Sequence, residues 1–121
     1  MKLKLKRVEN KIGESMPDII GQNMHGGVFW IESKALHDWP KRASTTPLKN
    51  AFEKGQLAFG RSWIDWGGHS FVFLRVGSGP RVEWLLLSPK SPLIELTREG
   101  LAEQALAIGK SAVIEYLDGI R

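Results

Sequence analysis

From residue 2 to residue 8 the chain reads Lys-Leu-Lys-Leu-Lys-Arg-Val, largely an alternation of charged and apolar side chains. That period of two predicts a half-exposed β-strand. Residues 10–16 are mostly polar, contain glycine, and predict a turn. Residues 18–22, Asp-Ile-Ile-Gly-Gln, open a second short strand, and Gly21, Gly26 and Gly27 bracket a hairpin connection. Residues 27–35, Gly-Val-Phe-Trp-Ile-Glu-Ser-Lys-Ala, combine β-branched and aromatic residues in the strongest strand pattern of the chain.

Residues 37–47 have the composition of a loop. Thr46 followed by Pro47 is a helix-start signal, and Leu48, Phe52, Phe59 and Trp63 recur near one helical face, so a helix is expected to run to about Trp66. Gly55 and Gly60 each cost such a helix about 1 kcal/mol relative to alanine, which moves the expected start toward Ala51. Gly67-Gly68 ends it. Residues 70–76 and 81–88 predict two further strands around Gly77-Ser78-Gly79-Pro80. Thr97 caps a C-terminal helical region, 97–119, with Leu101, Ala105 and Ile108 on its buried face and a break at Gly109. The order strand–strand–strand–helix–strand–strand–helix predicts an α/β domain: a central mixed β-sheet flanked by helices.

A length of 121 residues supports one core, hence a single domain over 1–121. No apolar stretch approaches the roughly 20 residues that span a bilayer, so no membrane is expected as a partner. The N-terminus alternates rather than presenting the apolar run of a signal peptide, and the expected location is cytoplasmic, the host cytoplasm if the chain is phage-encoded. The absence of cysteine removes disulfides, thiol nucleophiles and thiolate metal sites. His25, His37 and His69 lack close ligand spacing, so zinc is disfavoured, and any metal is expected to be a hard ion such as Mg2+ or its substitute Mn2+. The formal charge of +4 suits a phosphate-binding face and equally an ordinary soluble protein. Its placement is more informative, with Lys2, Lys4, Lys6 and Arg7 at the N-terminus and Lys41 and Arg42 in the middle loop.

Strand alternation puts Trp30, Glu32 and Lys34 on one face and Ile31 and Ser33 on the other. A hairpin then brings Asp18 beside Glu32. Two adjacent carboxylates repel, and one is driven toward neutrality unless a cation joins them. A divalent ion resolves that repulsion, and Lys34 is placed to orient water and stabilise developing charge. Taken singly, Glu-x-Lys reads as a solvated pair and Pro-Asp as turn chemistry; the combination with this spacing points to a metal site.

These residues also resemble a known family. Gly13-Glu14-Ser15-Met16-Pro17-Asp18-Ile19-Ile20, followed by Gly27-Val28-Phe29-Trp30-Ile31-Glu32-Ser33-Lys34, is similar to the PD-(D/E)xK nucleases, in particular small phage VRR-NUC and Holliday-junction-resolvase-like enzymes. The resemblance covers about residues 7–77. It implies a restriction-endonuclease-like core and metal-dependent hydrolysis of phosphodiester bonds. It further implies Asp18, Glu32 and the Ser33 carbonyl as metal ligands, Lys34 serving the water, and Gln56 supporting the site from the following helix. Relatives often carry another acid before Pro-Asp. Here only sixteen residues precede Pro17; Glu9 is the first candidate and Glu14 the second. Ser15 either contacts a phosphate or shapes the turn.

The expected activity is a Mg2+-dependent DNA endonuclease acting on branched or replicating DNA, most economically as a C2 homodimer. Lys4, Lys6, Arg7, Ser15, Lys41 and Arg42 are the expected DNA contacts. Trp39 either stacks at a junction or packs its loop onto the domain. The competing expectation is a nuclease-like fold without chemistry: a nucleic-acid-binding module or a phage inhibitor or immunity-type protein.

Overall fold

A computed structural model describes residues 3–8 and 16–121. Six strands form one sheet in the spatial order of the sequence: β1 (Leu3–Arg7), β2 (Ile19–Asn23), β3 (Val28–Leu36), β4 (Ser70–Val76), β5 (Glu83–Leu87) and β6 (Ala107–Ile108). Neighbours are antiparallel except β3 and β4, which run parallel. Parallel neighbours need a crossover, and the helix α1 (Gln56–Asp65) supplies it. Helices α2 (Arg98–Gln104) and α3 (Lys110–Asp118) complete the chain. The result is the mixed α/β sheet with flanking helices that the pattern predicts.

Alternation along the strands splits the core in two. On one face Val72, Leu74, Val76, Leu85 and Leu87 pack with Leu48, Leu93 and Leu101. On the other, Phe29, Ile31, Phe71 and Leu86 pack with Val113, Leu117 and Ile120 from α3 and its C-terminal extension. Each such side chain contributes about 1.5–3 kcal/mol of burial. Because β3 and β4 are covered on both faces, side chains in the middle of β3 are withdrawn from water even where they are charged.

Two expectations need correction. The signal at Thr46-Pro47 yields only turns, closed by Lys49 N–H to Thr46 C=O and Ala51 N–H to Leu48 C=O, with Leu48 plugged into the core. Helix α1 starts at Gln56 because Gly55 sits at φ 89, a left-handed conformation no helix interior accommodates. The C-terminal region 97–119 is not wholly helical. Thr97 caps α2 as expected, its hydroxyl accepting from Gly100 N–H, but β6 interrupts before α3. The edge of β5 leaves backbone groups to be satisfied, and Leu106 N–H and Gly109 N–H take up the carbonyls of Leu86 and Trp84. Ile108 is consequently 50% exposed on an edge strand rather than buried on a helix.

Candidate active site

The β2–β3 pairing sets Ile19 opposite Ile31 and Ile20 opposite Trp30, so Asp18, one residue outside β2, stands across from Glu32. Its carboxylate Oδ2 accepts the backbone N–H of Ser33 at 3.2 Å. That bond anchors Asp18 at the point where β2 stops pairing with β3. It also directs the polar backbone edge of Ser33 toward the same spot, since a strand residue turns its N–H and C=O to one side.

Glu32 and Lys34 follow at alternate positions of β3 and point the same way. Lys34 Nζ lies 3.4 Å from Glu32 Oε2 and 5.1 Å from the centre of the Phe52 ring. Gln56 binds the two together: its Nε2 donates to Glu32 Oε2 at 3.2 Å, and its Oε1 accepts from Lys34 Nζ at 3.1 Å. The same Oε1 accepts Glu53 N–H at 2.8 Å, a backward reach like that of a capping-box side chain. The turn at Gly55 is what aims this first residue of α1 at the sheet.

Glu32 is 5% exposed and Gln56 8%. The Glu32 carboxyl is pushed up to about 7, by burial first and by the neighbouring Asp18 carboxylate second, with Lys34 partly opposing both. Its second oxygen, Oε1, is buried and receives no donor among the described residues. A proton shared with the Asp18 carboxylate, or a bound cation, would satisfy that oxygen. Two carboxylates with an orphaned oxygen, beside an outward-facing backbone edge, are all-oxygen donors of the kind that hard divalent ions take. The residues therefore fit a hard divalent ion. Among the described residues no third His, Asp or Glu joins them. Glu9, Glu14 and Ser15 lie outside the described residues.

The remaining candidates are dispersed. Lys4 and Lys6 pair with Gln22 and Ile20 and therefore share the face of Asp18 and Glu32, whereas Arg7 pairs with Ile19 and is turned to the opposite face. Lys41 and Arg42 are exposed and line a cleft with Arg98 and Glu99, beyond the end of β3. Trp39 is engaged within the chain: its indole N–H donates to Glu83 at 2.7 Å, and the Arg98 guanidinium lies 4.8 Å above its ring. Sequence reasoning put Phe52, which lies beneath Lys34, on a helix face with no part in the site, and it assigned no part to Trp30, two residues before Glu32 on the same face. The alternation that singled out Glu32 and Lys34 contained the signal for Trp30.

No protein-family model matches the chain, and no curated protein matches it. Among solved structures it is similar to Hjc, a Holliday junction resolvase of the archaeal hyperthermophile Archaeoglobus fulgidus. The identity is 20% and the TM-score 0.47, over 74% of this chain and 61% of the resolvase chain. This chain thus matches less than two thirds of that protein's length.

Proposed function

We propose that the domain is a metal-dependent endonuclease that hydrolyses phosphodiester bonds in branched or replicating DNA. The observation that carries this reading is the convergence of Asp18 and Glu32 beside Lys34, with a buried Glu32 Oε1 that no described residue donates to. A cluster this costly to bury has no evident structural purpose, and one bound cation would offset it.

Asp18, Glu32 and the Ser33 carbonyl would hold Mg2+, with Mn2+ as substitute, and an acid from residues 9–14 would complete the set, Glu9 before Glu14. Such an ion supplies charge neutralisation at the phosphate and acidifies the attacking water. Lys34 Nζ is held by Gln56 and Glu32 beside the Phe52 ring, and its remaining donor capacity would serve a water or a phosphate oxygen. Gln56 is a positioning residue, holding Lys34 and Glu32 at fixed separation. Lys4, Lys6, Lys41 and Arg42 would contact DNA phosphates. Cutting two strands symmetrically calls for two such sites, hence a C2 homodimer.

The test is cleavage of labelled four-way junctions, flaps, single strands and linear duplex, with Mg2+, Mn2+ or chelator. Metal-dependent cutting that disappears in Glu32→Ala and Lys34→Ala supports the reading. Absence of cutting on every substrate, or cutting that survives both substitutions, overturns it and leaves a binding module.

A further inference from the structure

Helix α1 packs over β4 and the middle of β3, but it leaves the β1–β2 half of the same sheet face uncovered among the described residues. There Lys4 and Lys6 stand opposite Gln22 and Ile20, which in turn stand opposite Val28 and Trp30. Lys4, Lys6, Ile20, Gly21, Gln22 and Val28 line a shallow trough of about 260 Å3. Two inter-strand spacings make it about 10 Å across. Asp18 lies two residues before Ile20 and Glu32 two beyond Trp30, so the line of the trough, continued along the strands, runs toward the carboxylate pair.

Beside Ile20, toward α1, the same sheet face becomes aromatic. Trp30 meets Phe59 and Trp63 edge-on, each at 5.9 Å between ring centres, at 85° and 87°. Phe59 and Trp63 stack at 5.6 Å and 9°. Gly68 seats the Trp63 indole: a Cβ there would lie 2.3 Å from its Nε1. Trp63 nevertheless remains 41% exposed. A large ring held on three sides and left open to solvent on the rest is pre-organised for stacking, because its rotamer entropy is already lost.

We propose that this trough is a track for one unpaired nucleic-acid strand leading to the carboxylates, with Lys4 and Lys6 on its phosphates and Trp63 stacking an unpaired base. The assignment rests on the phosphodiesterase reading of the Asp18–Glu32 patch. A duplex hides its base faces in its own stack, so only an unpaired base can use the ring. Cationic side chains along one rim and an aromatic face on the other are the two elements of single-strand binding.

Binding is measured in chelator, where no cleavage occurs, by anisotropy of labelled oligothymidine and of a duplex of equal length. The single strand is expected to bind more tightly. Trp63→Ala should weaken single-strand binding about 5- to 150-fold while changing duplex binding less than about twofold. Lys4→Gln with Lys6→Gln should reduce the slope of log K against log salt by about 1.4, or 0.7 per lost phosphate contact. Photocrosslinking of the unaltered protein to 5-bromouracil-substituted oligonucleotide needs no variant, and it should map to Trp63 or Trp30. Equal affinity for duplex, an indifferent Trp63→Ala, or crosslinks confined to other segments would each overturn the track. A protein that cleaves duplex with Trp63 irrelevant refutes the track alone. One that binds single strands through Trp63 yet cleaves nothing refutes the nuclease alone.

Discussion

Gln56 donates to Glu32 across the sheet–helix boundary at 3.2 Å while accepting from Lys34 at 3.1 Å, so one amide sets the spacing of an acid and a base that are two residues apart. Removing it leaves a buried carboxylate with one fewer donor and an ammonium with one fewer acceptor. Gln56→Ala is expected to cost about 1–3 kcal/mol in stability, the range for an orphaned buried polar group. It should also lower cleavage about 10- to 100-fold, as loss of a ligand-orienting partner does. Denaturant melts alongside single-turnover rates check both; full activity in a folded Gln56→Ala protein would remove its positioning role.

The raised Glu32 carboxyl makes metal-free stability pH-dependent. Folding moves this acid from its ordinary value of 4.5 to about 7, so the folded chain binds the proton more tightly than the unfolded chain. The associated stability is fully present below about pH 4.5 and lost as pH rises through about 7, a change of roughly 3 kcal/mol. Urea midpoints in chelator should fall between pH 5 and pH 8, and Glu32→Gln should flatten that decline. Equal slopes in the two proteins would mean that Glu32 is not the titrating group.

A divalent ion should offset the same repulsion. Mg2+ at 100 times its dissociation constant is expected to stabilise the protein by about 2.7 kcal/mol. At one fixed Mg2+ concentration the gain should be larger at pH 8 than at pH 5.5, where Glu32 must first release its proton. Asp18→Asn should abolish it. Thermal melts against Mg2+ concentration decide the matter, and an unchanged midpoint would count against the ion site.

Gly55 is the residue that permits α1 to begin at Gln56. With φ at 89, an alanine there is strained by about 1–2 kcal/mol. Gly55→Ala should therefore lower stability and displace Gln56, reducing cleavage as well. A stability loss with activity intact would show that the Gln56 contact tolerates a shifted helix start.

Trp39 was a candidate DNA contact, yet its indole is already bonded to Glu83 and covered by Arg98. Trp39→Phe keeps the ring and deletes the N–H. It is expected to cost about 1 kcal/mol and to leave cleavage within twofold on every substrate. A substrate-selective loss would restore Trp39 to the DNA surface.

The local part of this protein was legible in its sequence. Alternation in residues 2–8, and apolar, β-branched and aromatic runs between turn residues elsewhere, located the first five strands to within a residue or two. Alternation put Glu32 and Lys34 on one side of β3, because side-chain direction along a strand depends only on backbone geometry. The Pro17-Asp18 and Glu32-x-Lys34 spacing placed the two acids across a hairpin, a contact close enough in sequence for register alone to determine it. The false helix at Thr46-Pro47 shows where local signals end: Leu48 had the spacing of a helix face, but core burial claimed it without a helix.

What only the tertiary structure decided depends on contacts between distant segments. Ala107 and Ile108 became a strand because β5 had an unsatisfied edge, something no periodicity in two residues reveals. Gln56 meets Glu32 and Lys34 because Gly55 turns the chain and the β3–β4 crossover brings α1 over the sheet. The elevated affinity of Glu32 for its proton arises from burial under that helix, and burial is a property of the packed molecule. The sequence determined which groups face one another across the hairpin; packing determined which of them lost water, and the proposed chemistry depends on that loss.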